Sequence, residues 1–139
     1  MGGSLMKKWM IVCLTFVTIF ILSACGVPTI DTFSGESAHW TATFEQNATK
    51  EHATKKLIIQ YKGDVSELAT VDKIHYQFNS RQFGMESSID VQENEHFQKS
   101  GIYTDGYSST PQFISEDTPM DIIIKWDGQE EQFDLIYKK

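Results

Sequence analysis

Two cysteines, Cys13 and Cys25, are all that this chain of 139 residues contains. Cys13 lies inside an apolar N-terminal run, so once that run is removed Cys25 has no thiol to pair with, and a disulfide-stapled fold is excluded. Long helical stripes are missing as well. Only Val65 to Ala69 offers as much as one turn, which argues against a helical bundle. Basic residues are few, with Lys and Arg at 12 against 19 for Asp and Glu and a net charge of −7. Loss of Lys7 and Lys8 with the N-terminal run takes that charge to −9. A chain of this balance has no clustered cations with which to displace the counterions of a nucleic acid, or to adhere electrostatically to an anionic bilayer. Its acidity serves solubility. No Gly-rich phosphate loop occurs, and no serine sits in a nucleophile-elbow context.

What is present begins at the N-terminus. Met6-Lys7-Lys8 and the apolar stretch Trp9 to Leu22 form the basic and hydrophobic regions of an export signal, shorter than the ~20 residues of a permanent bilayer span. Met6 is an alternative start. Leu22-Ser23-Ala24-Cys25 follows. It resembles the lipobox of bacterial lipoproteins, and the resemblance implies cleavage between Ala24 and Cys25 and a diacylglyceryl thioether on Cys25. Two acyl chains, each buried methylene contributing about 0.8 kcal/mol, would hold the mature protein on the outer face of the cytoplasmic membrane. Gly26 to Gly35, with Pro28, Ser34 and two threonines, reads as a linker reaching at most ~35 Å. The organisation expected is thus a signal peptide over 1–24, a lipid-anchored linker over 25–35 and one domain over 36–139.

From Trp40 onward the dominant period is two. Trp40, Ala42 and Phe44 alternate with Thr41, Thr43 and Glu45. Leu57, Ile59 and Tyr61 repeat the pattern, as do Ile74, Tyr76 and Phe78; Met85 to Val91 and Phe97 to Tyr103 are weaker strand candidates. Met120, Ile122, Ile124 and Trp126 lead into Asp127-Gly128, and Phe133, Leu135 and Tyr137 return. A two-residue Asp-Gly loop would set Ile122 opposite Phe133 and pair Lys125 with Glu130 but Asp121 with Asp134; a four-residue loop would set Ile124 opposite Phe133. The fold expected is all-β, an antiparallel immunoglobulin-like sandwich of about seven strands, with a small barrel as runner-up. About 110 residues can supply its core without covalent staples. Ser34-Gly35-Glu36-Ser37 before Trp40, together with Ile124-Lys125-Trp126-Asp127-Gly128, also resembles small, poorly characterised lipoproteins of Bacillus-like bacteria, a likeness that implies no site.

Chemistry-bearing residues are scattered. His39, His52, His75 and His96 fall at no spacing that builds a metal site on one element. Asp90, Glu93, Glu95 and His96 form the densest acidic patch, but without the glycine that turns a calcium loop they read as a solvated connection. Neither metal nor cofactor is expected. Asn47-Ala48-Thr49 matches a glycosylation sequon that a bacterial lipobox makes idle. In Gly101 to Phe113, Tyr103, Tyr107 and Phe113 alternate with small polar residues, the composition of adaptable binding edges. These three aromatics are the candidate ligand loop. The function expected is a nonenzymatic, lipid-anchored binding or interaction module of the envelope, meeting a protein or cell-wall partner. An envelope hydrolase with a site assembled from distant acids and histidines is the alternative, and a structural or stress-response envelope protein is the third class.

Overall fold

The computed structural model describes residues 29–48, 53–109 and 113–139. Ala24 and Cys25, with the whole expected export signal, lie outside the described residues, as do His52 and the side chain of Tyr107. Eight strands make up more than half of the described residues: β1 (Thr29–Glu36), β2 (Trp40–Ala48), β3 (Ala53–Tyr61), β4 (Lys73–Ser80), β5 (Gly84–Asp90), β6 (Ile102–Ser109), β7 (Met120–Trp126) and β8 (Gln129–Lys138). They form one antiparallel sheet in the order β5-β4-β7-β8-β1-β2-β3-β6. The all-β, antiparallel architecture is the one that the alternation predicts, with eight strands in place of about seven.

The sheet folds over on itself, and β8 is the crease. Residues up to Leu135 pair with β7, whereas Ile136 to Lys138 pair with β1. One strand therefore belongs to both layers. Gly35 lies at this junction: a Cβ there would stand 2.0 Å from the carbonyl oxygen of Asp134, so only glycine lets β1 pass β8 so closely.

The inward faces meet in an aromatic core. Phe44 of β2 stacks on Phe78 of β4 with ring centroids 4.9 Å apart, and Trp40 meets Trp126 edge-on at 5.3 Å. Trp40, Phe44, Ile59, Ile74, Phe78, Ile122 and Ile124 are wholly buried. Burial of such side chains is worth roughly 1.5–3 kcal/mol each before chain entropy is counted.

Two local structures depart from the expected boundaries, and a third resolves a choice between two registers. Residues 29–35, which composition reads as linker, are strand β1, in register with β2 from Thr29↔Ala48 to Glu36↔Thr41. Phe97 to Ser100 is not strand but the end of a short helix, α1 (Glu95–Ser100). Its signals are local: the Asn94 side chain accepts from the amide of Phe97 at 2.9 Å, and Gly101 closes it with φ 68°. The final hairpin takes the two-residue loop, with Ile122↔Phe133 and Asp121↔Asp134. Asp127 and Gly128 both have positive φ, as this turn requires.

Candidate functional site: the open seam between β5 and β6

β5 and β6 end the strand order, so among the described residues the folded sheet has an open seam, with no further strand on either of these two edges. They are consecutive in the chain, joined by 91–94 and α1, which close one end of the seam. Phe97 plugs that end and is wholly buried. Gln98 donates to the carbonyls of Val91 (2.8 Å) and Gln92 (3.0 Å), and Gln92 donates in turn to those of Ala69 and Val71. The closed end is thereby tied to the body of the fold. Ahead of β4, Val65–Leu68 forms the single helical turn that its sequence suggests.

Across the seam, the Tyr76 hydroxyl of β4 donates to Asp105 Oδ2 of β6 at 2.6 Å, and the Tyr76 and Tyr103 rings lie 5.9 Å apart. Burial, more than the Asp105 bond, pushes the Tyr76 phenol far above its ordinary value. Tyr76 is thus a neutral donor at any physiological pH.

A cleft of about 460 Å³ opens beside this bridge, lined by Ser88, Asp90, Glu93, Asn94, Glu95 and Tyr103. Two sequence candidates meet there: the acidic patch and the first aromatic of the candidate loop. Asp90 Oδ1 accepts from the Glu93 amide at 3.3 Å, and Glu95 faces Lys99 at 3.9 Å. His96 is not among the lining residues. Phe113, 53% exposed, is not among the residues lining the cleft. Among the described residues no group of three or more His, Cys, Asp or Glu side chains could hold a metal ion.

The histidines separate. His75 is exposed on β4, and His96 is exposed on α1. His39, just before β2, reaches β8: its Nδ1 lies 2.6 Å from Glu131 Oε2, and its amide donates to Oε1 at 2.9 Å. Burial works to raise the Glu131 carboxyl, but the donors around it, the His39 amide and imidazole among them, hold it below the usual range.

Two interior polar residues were missed by sequence reasoning. Gln46 (0% exposed) and Lys55 (2%) occupy inward positions of β2 and β3. Parity contains the signal, because Gln46 continues the Trp40-Ala42-Phe44 row and Lys55 the Leu57-Ile59-Tyr61 row. The Lys55 ammonium lies 5.2 Å from the centroid of the Phe83 ring, and burial pushes its pKa down. A second and wider depression, about 530 Å³, lies where Arg81, Glu116, Asp117 and Tyr137 come together.

Neither a family model nor a curated protein matches the chain. Among solved structures, the crystal structure of a Br derivative of BhCBM56 is similar at a TM-score of 0.39 and 8% identity, covering 77% of this chain and 98% of that one. A likeness at that level assigns neither family nor ligand.

Proposed function

We propose that this chain is a binding or interaction module of the bacterial cell envelope, lipid-anchored through Cys25 on the outer face of the cytoplasmic membrane. The anchor rests on sequence: a basic start, an apolar run and Leu22-Ser23-Ala24-Cys25 in order. The binding role rests on one observation, the seam, where strand edges without a further partner among the described residues adjoin a polar cleft bearing Tyr103. Sheet edges and clefts of this kind recognise partners through backbone and side chains together.

Two measurements test the two parts. Mass spectrometry of the native protein should find diacylglyceryl on Cys25, and Cys25→Ala should remain uncleaved and without lipid; an unmodified native thiol overturns the anchor. Cross-linking on intact cells from photoreactive groups at Ser88 or Tyr103 should recover a protein or wall polymer. Repeated recovery of nothing overturns the binding role.

The hydrolase alternative has one structural element in its favour, the His39–Glu131 pair joined across 92 residues. A carboxylate fixes the imidazole tautomer, as a general base requires. No described cleft includes His39. Hydrolysis of envelope polymer by the purified protein, lost in His39→Ala, would favour this reading over the first.

A further inference from the structure

We propose that the open edge of β6 receives an extended basic peptide, which adds to the sheet as a strand within the seam. The inference rests on the binding role proposed above and names the class of partner.

The backbone register fixes which groups are free. In an antiparallel ladder, directly opposed residues alternate between pairs that bond to each other and pairs whose amides and carbonyls point away. The amide of Tyr61 donates to the carbonyl of Gly101 at 2.9 Å, so Tyr61/Gly101 is a bonded pair. With the register Ile59↔Tyr103 and Leu57↔Asp105, the backbone groups of Tyr103 and Asp105 then face β3. Those of Thr104 and Gly106 face the open seam. The same reasoning applies to β5, where Val91 bonds Asp72 and Ser80 bonds Phe83, which leaves Glu86 and Ser88 facing outward. Among the described residues neither edge has a further strand partner.

Exposed edges are ordinarily blunted by lysine, proline, a bulge or a covering element. Ile-Tyr-Thr-Asp-Gly-Tyr-Ser-Ser of β6 contains no Lys and no Pro, and it pairs with β3 without interruption along its length. Gly106 brings no side chain to this edge, and among the described residues nothing stands within 4 Å of the place its Cβ would take.

Charge selects the occupant. Asp90, Glu93 and Glu95 line the cleft, Glu86 is exposed on β5, and Asp105 stands on β6 itself. Lys99 offsets Glu95 alone among these through a described ion pair. A strand with Lys or Arg at alternate positions would place cations along this rim. A second copy of the chain would bring the same acids against it, and like charges in opposition destabilise such a pairing.

The test uses the mature lipid-anchored protein in nanodiscs and an end-capped peptide of roughly eight residues alternating Lys and Val. Residue-resolved hydrogen exchange should show the Thr104 and Gly106 amides fast in the free protein and slowed at least about tenfold with peptide, while Tyr103 and Asp105 remain slow throughout. A Glu-Val peptide should bind at least about tenfold more weakly. Gly106→Pro removes one edge donor and leaves the bonds to β3, so it should abolish the protection, whereas Gly106→Ala should retain it. The wild-type comparison of the two peptides stands even if the proline variant fails to fold.

The proposal is overturned if the Lys-Val peptide at about 1 mM protects no amide of β6, or if both peptides bind alike. Concentration-dependent protection of Thr104 and Gly106 without peptide would make a second copy the occupant and would equally overturn it. A cross-linked cellular partner recovered undiminished by a folded Gly106→Pro protein would place binding elsewhere, removing this inference and leaving the binding role intact.

Discussion

Gln46 and Ile114, 68 residues apart, bond to each other twice: the amide of Ile114 donates to Gln46 Oε1 at 2.9 Å, and Gln46 Nε2 donates to the Ile114 carbonyl at 3.2 Å. Nε2 also approaches Asp31 Oδ2 at 3.4 Å. Both partners are buried, so a side chain on β2 substitutes for a missing strand neighbour and pins the segment that enters β7. Gln46→Leu keeps the size but strands the amide and carbonyl of Ile114. It should cost about 2–3 kcal/mol in denaturant unfolding, with faster hydrogen exchange at Ile114. An unchanged midpoint would show that the segment is held by other means.

The bond between His39 and Glu131 makes a pH-dependent clasp between the start of β2 and β8. Because the folded carboxyl is held below its ordinary value of 4.5, its contribution is complete above that value and is lost as pH falls through the depressed folded value. Glu131→Gln should therefore cost about 1–2 kcal/mol near neutrality and almost nothing in strong acid. Unfolding curves for the two proteins at several pH values decide it. A gap that persists undiminished in acid would assign the loss to shape rather than charge.

Burial of Lys55 works against the charged form of its ammonium. Burial lowers its pKa from 10.5, so the folded state holds its proton less tightly than the unfolded chain does. Lys55→Met preserves the stem packing and removes the charge, and should stabilise the protein by about 1–3 kcal/mol near pH 7. The advantage should shrink as pH rises through the folded value toward 10.5, because the wild type then sheds the buried charge. A destabilised Met variant would mean that the contact with Phe83 outweighs desolvation.

Tyr61 gives the opposite sign at alkaline pH. Burial, and then the bond from its hydroxyl to Glu67 at 2.7 Å, push the phenol up to about 12. The stabilisation is fully present below the ordinary value of 10 and is lost as pH rises through 10 to about 12. Spectrophotometric titration should show the Tyr61 transition near 12 in the wild type, absent in Tyr61→Phe. Full ionisation of every tyrosine below 11 in the folded protein would contradict it.

How much of this was legible in the sequence depended on how local the cause was. Trp40-Ala42-Phe44 and Ile74-Tyr76-Phe78 announce buried faces because strand side chains alternate, and Asp127-Gly128 announces its turn because both residues tolerate positive φ. The hairpin register could not be read, since Asp121 opposite Asp134 looked repulsive. The structure relieves it: Gln132 donates to Asp121 Oδ2 at 2.9 Å, and Asn79 of β4 approaches the same oxygen at 3.4 Å. That second partner comes from a strand 42 residues away. β1 escaped for a related reason. Thr29 to Glu36 has the composition of a tether, with Phe33 its one wholly buried aromatic, and it becomes a strand because β2 and β8 flank it. The seam was equally invisible, because an edge is defined by which strands fail to pair, and no stretch of sequence states that.

Gly35 carries the most stringent of these dependences. Its missing side chain lets β1 lie against β8 where that strand changes partners, and an added Cβ would meet the Asp134 carbonyl oxygen at 2.0 Å and carbon at 3.0 Å. Those are backbone atoms, so no rotamer relieves the contact, and the crease itself must open. Opening it separates Ser34 from Ile136 and weakens the only pairing that joins β1 to β8. Gly35→Ala should thus destabilise by about 2–4 kcal/mol, although alanine elsewhere in a strand costs little relative to glycine. Gly106→Ala is the internal control, since open space surrounds that position. Thermal unfolding of the two variants side by side should show a large loss for the first and almost none for the second. Equal losses would mean that the crease has slack, and that β8 does not depend on glycine to serve both layers.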